Sequence, residues 1–283
     1  MKTELLEMIL SKGCRSLNLC YSIILGSLNS NTKSQLRVLK LRQSKDLRWP
    51  AFNKCCYCDC ESFCDCYENT GFIKALLSSC SSLRHLVIED VFLSQNMAES
   101  ICKNGKTLQI LNLNRSDLDI EGDLNDFKSY WQEIIKCCQE LKEVDLAHQP
   151  ETGTGGLTNG DLDFLVRNIP PKIEKLNLCS SLDDHIKILL SRCNEIKALA
   201  LEATCITDDS LKTIRQQLNL TLEELSLGPD DRDTISLEPY ERDMVIRFRQ
   251  ANPPRISFTG FLELKSMPRL KILNFLAVIF FIV

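Results

Sequence analysis

The chain has 283 residues, of which 34 are basic and 38 acidic, so that its formal net charge is −4. Without a basic excess there is little to neutralise a nucleic-acid backbone, and we expect neither general nucleic-acid binding nor a nucleic-acid partner. The first residues lack the apolar core of a secretory signal, which favours a cytoplasmic or nuclear protein.

One six-residue phrase, apolar at its first, fourth and sixth positions, recurs along the chain. Recurrence of this kind is typical of leucine-rich repeat proteins. The nine copies occupy 14–19, 36–41, 83–88, 108–113, 141–146, 173–178, 196–201, 222–227 and 270–275. Four of the eight steps between copies fall within 20–29 residues, and the longer steps indicate repeats that carry insertions.

Each phrase is predicted to form a short strand whose fourth and sixth residues point into the core and whose third, fifth and seventh point outward. Helical spacing of apolar residues follows, as in 131–138, 162–169 and 211–218. Asp183-Asp184 and Asp208-Asp209 precede two of these helices, at 185–193 and 210–218, and are predicted to accept the free amides of the first turn. The alternation predicts an α/β fold, a ribonuclease-inhibitor-like leucine-rich repeat horseshoe with parallel strands on the concave face and helices on the convex face.

The repeats are predicted to form a single leucine-rich repeat domain over 1–283. Insertions are expected at about 42–69, which is rich in cysteine, and at 148–160 and 228–258. Because loops after parallel strands emerge on one rim, these insertions are a second candidate contact surface. The apolar tail at 276–283 belongs to a stretch too short to span a membrane, which needs about 20 residues. The tail also lacks the polar cap of a solenoid end, which favours an altered C-terminus.

Six of the 15 cysteines lie between Cys55 and Cys66. Zinc sites commonly use two pairs of ligands separated by a long spacer, whereas these pairs nearly abut and no histidine is near them. We therefore expect an exposed thiol-rich loop or a variable insertion without a role, with no metal and no cofactor. A metal- or redox-responsive module in this segment is the weaker alternative.

The sequence predicts no enzyme. His85, His148 and His185 lie in different repeats, and none has a nucleophile paired with it by a recognisable motif. The stretch GTGG at 153–156 lacks the Gly-Lys-Ser/Thr that completes a phosphate-binding loop.

Outward strand positions are the predicted surface for a client protein. They are basic in the first repeats and mainly acidic in the later ones, and complementary charge favours encounter and register with a partner. The candidate residues are Lys40, Arg42, His85, Asn112, Asn114, Glu143, Asp145, Lys175, Asn177, Glu202 and Glu224.

The unit LSRCNEIKALALEATCITDDSLKTI at 190–214 resembles the cysteine-containing leucine-rich repeats of F-box proteins. The units at 76–88 and 134–146 share its join of helix, cysteine and strand, and the irregular repeat lengths are similar to the S-phase-kinase-associated type. This resemblance implies a substrate receptor of an SCF-type cullin–RING ubiquitin ligase. In that family an F-box grips the small Skp adaptor while the repeats hold a client protein for ubiquitin-dependent degradation.

The F-box itself has no place in this sequence, because the first phrase already begins at Cys14 and Trp49-Pro50 lies among the repeats. The Skp adaptor and the cullin are therefore expected partners only if an F-box is supplied from outside these residues. The alternative is a stand-alone leucine-rich repeat scaffold or inhibitor that covers its partner without recruiting a ligase.

Overall fold

The computed structural model describes residues 8–21, 35–43, 66–89, 92–93, 95–113, 117–118, 130–146, 159–179, 183–202, 206–227 and 256–275. In these ranges short strands alternate with helices. The strands are β1 (Ser16–Tyr21), β2 (Val38–Gln43), β3 (His85–Glu89), β4 (Phe92–Leu93), β5 (Ile110–Asn112), β6 (Asp117–Leu118), β7 (Glu143–Asp145), β8 (Lys175–Cys179), β9 (Ala198–Glu202), β10 (Glu224–Leu227) and β11 (Ile272–Phe275). The helices are α1 (Cys66–Ser79), α2 (Gln95–Cys102), α3 (Tyr130–Cys137), α4 (Asn159–Asn168), α5 (Asp183–Leu190), α6 (Asp208–Leu218) and α7 (Phe258–Leu264).

Nine of these strands form one all-parallel sheet in the order β1-β2-β3-β5-β7-β8-β9-β10-β11. Each of the nine begins at the third residue of one of the recurring phrases. This arrangement confirms the predicted α/β class and is consistent with a leucine-rich repeat solenoid. The sequence did not predict β4 and β6, which form a separate two-stranded parallel sheet.

From the second phrase to the eighth, the apolar positions form the core, as their spacing predicts, whereas Leu270 and Leu273 of the last phrase are half-buried. In the second phrase Leu36, Leu39 and Leu41 have no solvent exposure, whereas Val38 and Lys40 between them are half-buried. A strand that alternates in this way buries one face and presents the other. The predicted helical stripes are buried too, among them Trp131 of α3.

The chain divides into two compact units, Met1–Leu141 with Pro150–Gly156, and Lys142–Gln149 with Leu157–Val283. In the first unit α2 packs against α1 and α3, and in the second unit α4 to α7 pack in sequence order. Since a single repeat cannot bury its own apolar face, this side-by-side packing stabilises each unit. A single domain over 1–283 stays a prediction.

Asp183 and Asp208 bind the next repeat and not their own first turn, so for these two aspartates the prediction was wrong. Asp183 accepts hydrogen bonds from the Thr207 main-chain N–H at 2.9 Å, from its hydroxyl at 2.7 Å, and from the Ser210 hydroxyl. Asp208 likewise accepts from the Ser257 main-chain N–H at 2.7 Å and hydroxyl at 2.6 Å. The cause is that both aspartates are already helical, while Thr207 and Ser257 are the N-caps.

Most of each predicted insertion lies outside the described residues, and so does the tail at 276–283. At the described ends of the insertions, regular structure overlaps the predicted bounds: β2 continues through Gln43, α4 begins at Asn159, and Ser257 is the N-cap of α7. Among the described residues, no helix has the length and apolar character that crossing a membrane requires.

Candidate protein-interaction surface

Each of seven phrases, those that start at 36, 83, 108, 173, 196, 222 and 270, begins with the same hydrogen bonds, which place equivalent positions side by side. The N–H groups of its second and third residues both donate to the main-chain oxygen of the second residue in the preceding repeat. In the first unit Arg37 and Val38 donate to Arg15 at 2.8 and 3.1 Å, and in the second unit Glu174 and Lys175 donate to Lys142 at 2.7 and 2.9 Å. Side chains at one position of the phrase therefore line up across neighbouring strands.

We call the third and fifth positions of the phrases the open strand face, because their side chains point away from the buried fourth and sixth positions. In the first unit these two rows run through Ser16, Val38, His85 and Ile110, and through Asn18, Lys40, Val87 and Asn112. Val38, Lys40 and Ile110 are half-buried, and Val87 is buried. This part of the face combines apolar Val38, Val87 and Ile110 with uncharged polar residues, a histidine and one cation, Lys40.

In the second unit the same rows carry four charged side chains, two of which form an ion pair. They run through Glu143, Lys175, Ala198, Glu224 and Ile272, and through Asp145, Asn177, Ala200, Ser226 and Asn274. The Lys175 ammonium lies 3.2 Å from the Glu143 carboxylate. Ala198 and Ala200 expose little side chain between the charged strands, so this face offers both ionic groups and a shallow apolar strip.

The structure places eight of the eleven candidate residues on these rows. Lys40, His85 and Asn112 belong to the first unit, where Lys40 shares a row with Asn112 and His85 lies in the adjacent row. The second unit holds Glu143, Asp145, Lys175, Asn177 and Glu224. Arg42 and Glu202 pair in register through their main chains, with Glu89 and Cys179 respectively. Asn114 lies outside the described residues.

The second position of the phrase was missed by the sequence analysis, although it also forms a row on the surface. In the second unit this row alternates in sign along Lys142, Glu174, Lys197, Glu223 and Lys271. In the first unit it is Arg15, Arg37, Arg84 and Gln109. The signal was available in the phrases themselves, since CRSLNL, LRVLKL and LRHLVI all carry arginine second.

Ion pairs neutralise this row in the second unit. Glu174 lies 2.6 Å from Lys197 and 3.6 Å from Lys142, and Glu223 lies 2.7 Å from Lys271. The hydrogen bond from Lys197 lowers the pKa of Glu174, and that from Lys271 lowers the pKa of Glu223. Both carboxylates therefore stay ionised and committed to partners within the protein.

Three of the described cysteines, Cys80, Cys138 and Cys193, are buried, whereas Cys14 and Cys102 are half-buried and Cys137 is exposed. Cys80, Cys138 and Cys193 each lie between the end of a helix and the next strand phrase and are at most 5% exposed. Burial raises the pKa of Cys138 to about 12 and that of Cys193 to about 11, so neither forms the thiolate that a nucleophile or metal ligand needs. Of the candidate histidines, His185 is buried on α5, His85 lies at the start of β3, and His148 is outside the described residues.

Within the described residues, no three histidine, cysteine or acidic side chains are grouped so that they could hold a metal ion. The cysteine cluster between Cys55 and Cys66 lies outside the residues whose side chains are described. Comparison of the sequence with protein-family models and with curated proteins finds no match. The surface chemistry of the two units is therefore what bears on function.

Proposed function

We propose that this chain is a protein-interaction module, the client-binding repeats of an F-box-type receptor that acts in ubiquitin-dependent protein degradation. The observation that carries the proposal is the regular open strand face, whose charged and apolar side chains are held in register by nine parallel strands. Such a surface suits an extended contact with another protein better than it suits a small molecule.

Two details of the repeat support the F-box-type interpretation. Buried Cys80, Cys138 and Cys193 occupy the helix-to-strand join that the resemblance rests on. The Thr207-Asp208 pair, which follows the strand in that same unit, has a structural purpose, because it links three successive repeats through carboxylate hydrogen bonds. The cysteine and the Thr-Asp pair of this repeat motif thus both have structural roles, in packing and in hydrogen bonding between repeats.

The mechanism is positioning. The repeats hold the client by its surface, and a ligase assembled on an F-box from outside these residues reaches the client's lysines. Rigid spacing of the strands at about 4.8 Å keeps the contact groups fixed before binding, so that little conformational entropy is lost at the surface.

Client capture tests whether the open strand face is used. We expect the tagged chain, expressed under proteasome inhibition, to retain specific proteins that the charge-reversal variant E143K/D145K/E224K loses. The matched control E99K/E140K/E195K reverses three acids that are exposed and lie off the open strand face. Equal capture by both variants would show that clients do not contact this face.

A fusion separates the receptor from a stand-alone scaffold or inhibitor. With an F-box placed ahead of residue 1, the receptor proposal expects the captured client to be ubiquitinated, to fall in abundance and to recover when the proteasome is inhibited. A client that stays bound at constant abundance beside a functional Skp adaptor would favour the scaffold. Purification of the Skp adaptor with the unfused chain would contradict the expectation that an external F-box is needed.

A further inference from the structure

Three arginines at the start of the first three strands form an exposed cationic row, which we call the arginine ladder: Arg15, Arg37 and Arg84. All three are exposed. The Arg37 main-chain N–H donates to the Arg15 carbonyl and the Arg84 N–H to the Arg37 carbonyl, each at 2.8 Å, so the three residues occupy adjacent strands. Adjacent strands are about 4.8 Å apart, which gives the ladder a span of about 10 Å.

The ladder has no counter-charge among the described residues. None of its three guanidinium groups forms an ion pair there, whereas the same position in the second unit alternates lysine with glutamate at 2.6 to 3.6 Å. The second, third and fifth positions of the four phrases of the first unit hold four cations and no acid, the fourth cation being Lys40. Aligned like charges repel one another, and a bound anion relieves that repulsion.

We propose that the arginine ladder binds an acidic segment of a client protein, one with Asp or Glu at alternate positions. In an extended segment such carboxylates point the same way and recur about every 6.6 Å, so that two or three of them match a ladder about 10 Å long. Each guanidinium presents a planar fork of N–H donors that pairs with a carboxylate through two hydrogen bonds.

The neighbouring side chains favour a protein partner over a nucleic acid. The row of third positions next to the ladder in the chain contains half-buried Val38, and continues through His85 to half-buried Ile110 on the following strand. Val38 and Ile110 suit the apolar side chains of a polypeptide, whereas a sugar–phosphate backbone has nothing apolar to place there. Three phosphate contacts would also give a nucleic acid little affinity at physiological salt, since that affinity depends on many released counterions.

This inference deepens the proposed function by giving the client's chemistry, and its test needs no ligase component. The purified full chain is titrated into a fluorescein-labelled peptide with Glu at alternate positions, and binding is followed by fluorescence anisotropy. We expect the variant R15Q/R37Q/R84Q to bind about tenfold more weakly, because it loses three exposed charge contacts. We also expect binding to weaken as salt is added.

The matched control is K142Q/K197Q/K271Q, which removes three cations from the same position of the phrase and changes the net charge equally. Because those lysines are paired with glutamates, we expect binding within about twofold of the unaltered chain. Equal weakening by both triple variants would reduce the effect to net charge and overturn the proposal. So would equal affinity for a peptide with Gln in place of Glu, or tighter binding of a single-stranded oligonucleotide of the same charge.

The single variant R37Q, which removes the middle arginine, keeps the test interpretable if the triple variant folds poorly, and it is expected to weaken binding about threefold. Unchanged affinity in a folded R37Q would also overturn the ladder. Absence of peptide binding by the unaltered chain refutes this inference alone, because client capture and the F-box fusion test the proposed function without reference to the ladder.

Discussion

The carboxylate of Asp183 should contribute more to the free energy of unfolding than that of Asp184, its neighbour in the first turn of α5. Replacing it with alanine removes three hydrogen bonds to a charged acceptor, which come from the Thr207 N–H, the Thr207 hydroxyl and the hydroxyl of Ser210. Ser210 has no solvent exposure, so its hydroxyl loses its acceptor in a buried position. Hydrogen bonds to charged groups are worth about 1.5–3 kcal/mol each and add incompletely, so we expect a loss of about 3 kcal/mol.

The adjacent residue provides the control. Asp184 lies in the same first turn of α5 and carries the same charge, but its side chain is 89% exposed and its ion pair with Lys187 is 3.8 Å long. We expect Asp184→Ala to cost less than about 0.5 kcal/mol. Urea unfolding followed by circular dichroism measures both variants, and amide hydrogen exchange at Thr207 reports the broken bond directly. Equal losses for the two alanine variants, with unchanged exchange at Thr207, would refute the reasoning.

Three further predictions concern packing, pH and thiol reactivity. In Gly105→Ala the new Cβ would lie 2.5 Å from the main-chain oxygen of Cys137, so we expect a loss of about 1–3 kcal/mol in urea unfolding, and no loss would show that α3 shifts freely. The hydrogen bond with Lys197 lowers the pKa of Glu174, so this pair stabilises the folded state above the usual glutamate pKa of about 4.3, and the stabilisation is lost as the pH falls further. The free energy of unfolding should therefore drop less between pH 6 and pH 3 in Glu174→Gln than in the unaltered chain. An equal drop in both proteins would contradict the pairing. Burial raises the pKa of Cys138 to about 12, so iodoacetamide should label exposed Cys137 and leave Cys138 unlabelled until urea unfolds the chain. Mass spectrometry measures the two labelling rates, and equal rates would place Cys138 at the surface.

The strands were predictable because the spacing of apolar residues within each phrase is sufficient to indicate a strand. An apolar residue at the fourth and sixth positions defines the buried face, and all nine copies became parallel strands that begin at the third residue. Buried stripes such as that of Trp131 were equally readable from helical spacing. These features depend on residues close in sequence, which is why a single sequence carries them.

Contacts between repeats were not predictable in the same way. The partner of Asp183 is Thr207, and nothing in a helix-start signal says that the carboxylate points to the next repeat. Ion pairing of Glu174 with Lys197 also requires the register of adjacent strands. Once that register is known, the second positions of the phrases are seen to form a row, which carries arginines in the first unit and alternating lysine and glutamate in the second.

The most direct test of the central claim is site-specific photo-crosslinking in cells. A photoreactive amino acid replaces Lys40 or Lys175 on the open strand face, and Lys212, an exposed residue of α6, serves as the control. If the open strand face binds clients, positions 40 and 175 yield a crosslinked partner and position 212 does not. Crosslinks from position 212 alone would contradict the account, because the partner would then bind the helices.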